Sequence, residues 1–271
     1  MKAQVKPRRK PRTMAGGMAT AIRSAVAAAL ALSLAGTAAL AEPFSCDIPG
    51  YLLVGGNDLK HVAEVVKNDH KLTIAVVGTG SSALAGPDGP PSAYPARLQA
   101  ALKQKLPSVA VKVVTLVRTR LSADDLAKGM DKLLVDEKPD LVIWQSGTVD
   151  AMRRVEPDDF RAALEEGVET LQKAGVDVIL MNMQYSPRTE TMIALGPYAD
   201  TMRVVAQQRE VPLFDRLAIM RYWSDVGAFD LYAAGRDNVL AHRVHDCIGR
   251  GIASMIIDAA HLHGLSNKVS Q

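Results

Sequence analysis

The segment "VVGTGSSALAG", residues 76–86, overlaps the end of the apolar run "LTIAVVG" (72–78) and reads Gly78-x-Gly80-x-x-Ala83, the outline of a dinucleotide-binding turn. Such a turn must enter a helix at once, so that a pyrophosphate meets the N–H groups of the helix N-terminus. Here it runs into "GPDGPPS" (86–92), whose glycines and prolines forbid a helix continuing from Ser81 through Pro91. At most a single turn fits before a helix opens near Ser92. The acidic residue that would hold a ribose hydroxyl is also missing after the second apolar run, where Arg118 and Arg120 stand. A nicotinamide enzyme is therefore a poor reading.

Working outward, β-rich apolar runs alternate with helical patterns. The runs are 72–78, 109–117, 140–146, 176–183 and 211–215; the helical patterns between them cover 94–106, 123–136, 158–175 and 198–210. Near-continuous apolar strands separated by amphipathic helices predict a parallel sheet covered on both faces. A closing segment, 237–264, ends in a helix predicted to stop near Gly264. "MRYW" (220–223) reads as core packing of a short helix after the fifth strand. In such sheets ligands sit where the loops leave the carboxyl ends of the strands.

The first 41 residues read as a secretory signal: Lys2, Lys6, Arg8, Arg9, Lys10, Arg12 and Arg23 without an acid, then "AVAAALALSLAGTAAL", then the cleavage-type "ALA" at 39–41. A retained membrane anchor fits less well, because the Ala-rich run is short and ends in small residues. The chain carries 32 basic and 29 acidic residues; without the leader's 7 basic ones, 25 face 29, a net −4. Nucleic-acid binding thereby loses its compositional support. Residues 42–70 read as an arm and helix, 71–264 as one domain and 265–271 as a tail. A periplasmic or secreted location follows, with no membrane span after signal removal. Cys46 and Cys247 are the two cysteines: they either pair across the domain, as an oxidising compartment permits, or remain separate thiols. Without a Cys-x-x-Cys spacing, and with only His242-x-x-His245 as a histidine pair, no metal site is expected.

Taken together, "IAVVGTGSSALAG…YPARL", "KPDLVIWQSGTVDAM", "GVDVILMNMQYSP" and "FDRLAIMRYW" resemble, in order and spacing, the SGNH or GDSL hydrolases, especially their exported bacterial branch. The resemblance covers roughly residues 70–260. It implies a flavodoxin-like three-layer α/β/α sandwich with a five-stranded parallel sheet, hydrolysis of esters or acyl groups, and no cofactor. It also implies a serine after the first strand, an Asp-x-x-His before the last helix, and an oxyanion hole from a serine N–H, a glycine N–H and an asparagine amide.

The slots are altered. Gly80 falls on the nucleophile, with Ser81 one place late, and "VRTRLSADD" puts Arg118 and Arg120 where a glycine-rich stretch belongs. "SGTVDAM" carries Val149 in place of the amide donor, and Val239 or Leu240, by register, occupies the histidine slot. Asp150 reads as loop support. Two functions remain open. One is a protein without catalysis that binds a small acylated or acidic carbohydrate ligand, or a protein partner, in a cleft bounded by Thr79, Gly80, Arg118, Arg120, Gly147, Thr148 and Gln184. The other is an active esterase with Ser81 as nucleophile, His242 or His245 as base and Asp237 as orienter.

Overall fold

The computed structural model describes residues 46–53, 57–232 and 238–266; the leader, the start of the arm, most of the tail and Asp237 lie outside the described residues. Five strands, β1 (Lys71–Gly78), β2 (Ala110–Val117), β3 (Leu141–Gln145), β4 (Asp177–Met181) and β5 (Leu213–Phe214), form one parallel sheet in the order β2-β1-β3-β4-β5. This is the flavodoxin-like order that the SGNH/GDSL resemblance implies. Val76 of β1 sits between Thr115 of β2 and Ile143 of β3, so β1 is an interior strand and β3 the central one. Central position explains composition: every residue of β3, "LVIWQ", is buried. Edge strand β2 instead exposes Lys112 and Thr115, which discourages pairing with another chain.

The longer helices are α1 (Lys60–Asp69), α2 (Tyr94–Lys105), α3 (Met130–Glu137), α4 (Pro157–Lys173), α5 (Gly196–Gln208), α6 (Arg216–Asp225) and α7 (Val239–Ala259). On one face α2 packs on α7, and Leu59 N–H at the entry to α1 donates to Ala259 at the end of α7. On the other, α4 packs against α3 and α5. Three layers result.

Two sequence expectations are corrected. The helix predicted over 123–136 is broken into Ala123–Ala127 and α3, because Gly129 weakens helix continuation and becomes the N-cap of α3. The long closing helix stops at Ala259 rather than near Gly264, since His261 turns into a left-handed conformation (φ 52°), and a separate short helix, His263–Ser266, follows. The proline-rich stretch after β1 does form one short turn, Gly89–Ser92, before α2 begins at Tyr94. In α6, Trp223 and Met220 are buried, as "MRYW" predicts.

The packing of α7 on α2 has a specific cause. A Cβ on Gly249 would lie 2.7 Å from both Arg97 Cβ and the Leu98 backbone nitrogen, so only glycine permits this approach. One turn earlier on each helix stand His245 and Tyr94. The close approach therefore sets their meeting. Cys46 and Cys247 form a disulfide with a Cα–Cα distance of 5.3 Å, fastening the arm to α7, and Trp223 Nε1 donates to Asp47 O at 2.9 Å beside it. Among the described residues no helix is long and apolar enough to cross a membrane.

Candidate functional site

The chain leaves β1 toward β2 on one side and later returns to β3 on the other, so the loops after β1 and β3 diverge and open a crevice at the strand ends. β1 ends at Gly78, and the turn Gly80–Ser82 follows. A Cβ on Gly78 would come within 2.2 Å of Ser82 Oγ, so glycine is needed to fold the turn back over the strand. Ser82 is buried there; its hydroxyl donates to Gln145 Oε1 and meets the Tyr94 hydroxyl at 3.0 Å. Gln145, the last residue of β3, turns its Nε2 to Thr79 Oγ1 at 3.1 Å and Ser81 Oγ at 3.0 Å. A single amide thus organises the whole turn.

The far wall comes from β4 and β5. Asp215 caps α6, its Oδ1 accepting from Ala218 N–H at 3.0 Å, while Asn182 Nδ2 donates to the same oxygen at 2.7 Å and Asn182 Oδ1 accepts from Leu217 N–H at 2.9 Å. These bonds fix the first turn of α6. They leave Arg216 directed inward, with Nη1 on Ser81 Oγ at 3.3 Å and Nη2 on Ser81 O at 3.2 Å and Gln184 Oε1 at 2.8 Å. Its guanidinium lies 5.8 Å from the Tyr94 ring centroid. Arg216 is 0 % exposed, and burial pulls its pKa down to about 10, so it stays charged at neutral pH. Its Nε has no hydrogen-bond partner among the described residues.

His245 supplies the third wall. Its Nδ1 accepts the Tyr94 backbone N–H at 3.0 Å, and burial, then the Arg216 charge, then His242 push the imidazole down to about 3. A neutral ring whose Nδ1 accepts must carry its proton on Nε2. The same ring therefore acts as a donor. Burial also raises the Tyr94 phenol, so that group stays protonated. Ser81, Gln184, Arg216, Leu240 and His245 line one cavity of about 360 Å³.

The structure does not gather all of the sequence-proposed residues there. Thr79 and Gln184 belong to this network, and Gly80 lies exposed on the turn. Arg118 is exposed and lines a separate cavity of about 170 Å³ with Leu116, Leu121 and Met130. Arg120 is exposed in a left-handed conformation (φ 67°), its carbonyl accepting from Arg153 at 2.7 Å. Gly147 packs beside Met183 and precedes the short helix Thr148–Arg153, which contains the half-buried Thr148 and Val149. Asp150 accepts from Ala123 N–H at 2.9 Å and holds that loop; burial raises its carboxyl. Val239 is exposed at the first turn of α7, and His242 is half-buried with Nε2 unpartnered among the described residues. Asp237 lies outside the described residues. Neither Ser81 nor Ser82 is hydrogen-bonded to an imidazole, and no group of three or more metal-ligating side chains occurs among the described residues.

Gln145, Tyr94 and Arg216 were not singled out by sequence reasoning. A signal existed for two of them: Gln145 and Arg216 stand at the carboxyl ends of strands, where polar side chains interrupt apolar runs.

Among solved structures, TesA aligns over 99 % of its chain and 69 % of this one at 20 % identity, with a TM-score of 0.55. LAE5, an alpha/beta hydrolase enzyme from the metagenome of Lake Arreo, Spain, aligns over 96 % of its chain and 71 % of this one at 21 % identity and a TM-score of 0.53. Axe2, an acetylxylan esterase from Geobacillus stearothermophilus, aligns over 94 % and 68 % at 19 % identity and 0.54. Likeness at such identities carries the fold. No curated protein sequence matches. The model of the Non-GDSL lipase-like family matches residues 45–262, the whole of the sheet and its helices, and the chain belongs to that SGNH/GDSL hydrolase-like family.

Proposed function

We propose that this protein is an exported member of the family that binds a ligand in the strand-end cleft without hydrolysing it. One observation carries the reading: Ser81 Oγ receives hydrogen bonds from Gln145 and Arg216, while the buried imidazole of His245, which lines the same cavity, offers its Nδ1 to a backbone N–H. Both donors occupy the lone pairs a nucleophile would use, and a cation beside the oxygen does not remove its proton. Val149 adds no amide donor, and loss of one such donor alone costs roughly a hundred- to a thousandfold in turnover. The leader pattern and the Cys46–Cys247 bridge support export to an oxidising compartment. The ligand class this reading admits is a small acylated or acidic molecule, carbohydrate-linked or free, with a protein partner as the competing occupant.

A second reading, serine esterase, is favoured by the shared cavity of Ser81 and His245. Purified protein assayed with p-nitrophenyl acetate and butyrate beside Ser81→Ala separates the two. We expect release of p-nitrophenol at the buffer rate, indifferent to the substitution. Turnover that disappears in Ser81→Ala would overturn the binding reading.

A further inference from the structure

Arg216 presents an electrostatic problem the fold does not solve. A fully buried cation is ordinarily paired with a carboxylate, because its desolvation cost is otherwise uncompensated. Among the described residues no carboxylate bonds Arg216: its partners are Ser81 Oγ, Ser81 O and Gln184 Oε1, all neutral. The neighbouring Asp215 is committed to Asn182, to Ala218 N–H and to Arg203, which holds Oδ2 at 2.7 Å. Arg216 is also the first residue of the ten-residue α6, whose N-terminal dipole adds to the positive potential.

The groups in front of this charge are donors. Ser81 Oγ accepts from both Gln145 and Arg216, so its own proton is free to be given to something in the cavity. His245, with Nδ1 accepting, has its proton on Nε2. Most of the remaining wall is hydrocarbon, from Ala83, Leu84, Met220, Leu231, Leu240 and Val244, with Gln184, Tyr185 and Ser186 adding polar groups at one side.

We propose that the cavity receives an amphipathic monocarboxylic acid, its carboxylate taking hydrogen bonds from Ser81 and His245 in front of the Arg216 charge and its apolar body lying along Leu84, Met220 and Val244. A single protein charge matches a single ligand charge; a phosphate dianion would leave negative charge unpaired among aliphatic side chains. The inference rests on reading this cavity as the ligand site, and does not require that hydrolysis be lost.

The test is calorimetric titration of the purified protein with octanoate, octanamide, octylamine and inorganic phosphate. Octanoate should bind about ten- to a hundredfold tighter than octanamide, the margin of hydrogen bonds made to a charged group, and octylamine and phosphate should not bind. Arg216→Gln should bring octanoate down to the affinity of octanamide. The wild-type comparison decides even if that variant does not fold. Octanamide binding as tightly as octanoate, phosphate binding more tightly, or no octanoate binding at all overturns the proposal. Hydrolysis of p-nitrophenyl octanoate by wild type and not by Ser81→Ala would retire the non-hydrolytic reading alone, since octanoate would then be a product held at the same site.

Discussion

His245 Nδ1 accepts the backbone N–H of Tyr94 at 3.0 Å, a contact between the second turn of the last helix and the first residue of the helix that follows the strand-end turn. It satisfies a buried helix-start donor and at the same time fixes which ring nitrogen carries the proton. The contact gives the cleft its neutral Nε2–H and ties it to pH.

That dependence has a definite sign. His245 is held near pKa 3 in the folded protein against 6.5 for the free side chain. Below pH 6.5 the unfolded chain takes up a proton at this residue and the folded chain does not, so stability falls as pH drops from 6.5 toward 3. The loss is about 1.4 kcal/mol per pH unit, roughly 2–3 kcal/mol by pH 4.5. Urea unfolding at both pH values, compared with His245→Gln, should show the slope shrinking by that amount in the variant.

Gly80 is a second test of how the site is built. A Cβ there meets only Thr119 Cγ2, at 3.8 Å, so packing does not require glycine. Gly80→Ser should fold with stability changed by less than about 0.5 kcal/mol. On the reading that Gly80 occupies the family's nucleophile slot, it should gain no esterase activity, because the restored hydroxyl would still lack an imidazole at Val239 or Leu240 and an amide at Val149. A progress curve with p-nitrophenyl butyrate rising above the Ser81→Ala background would contradict this.

Gly249 supports the cleft from a distance. An alanine methyl would press on Arg97 Cβ and Leu98 N, forcing α7 away from α2. Gly249→Ala should cost about 1–3 kcal/mol by denaturant unfolding and should weaken the His245–Tyr94 contact one turn away. Hydrogen exchange at the Tyr94 amide should accelerate more than global destabilisation accounts for.

The Cys46–Cys247 bridge closes a loop with a sequence separation of 201 residues. Cys46→Ser should lower stability by about 2–5 kcal/mol, a fall in Tm of roughly 5–15 °C. Intact mass under non-reducing conditions should be lower than after reduction by two hydrogen atoms. An unchanged mass on reduction would count against the bridge.

Much of the fold was legible because it depends on periodicity. Continuous apolar runs such as 72–78 and 140–146 can be buried on both faces only inside a parallel sheet, and the intervening helical patterns leave few other architectures. The break at Gly129 was missed because an apolar pattern carries across a weak helix former without interruption.

The candidate site was less legible, because its chemistry comes from residues distant in sequence. Nothing local in "FDRLA" indicates that Arg216 is buried under Ser81, which lies 135 positions earlier, and nothing in "RVHDC" predicts that His245 gives its Nδ1 to Tyr94. Local sequence determined the sheet and its helices, because both follow from the period of the apolar residues. Only the tertiary structure decided which polar groups meet, since burial and partner, rather than residue type, determine whether an arginine is a solvated charge or an unpaired cation beneath a cavity.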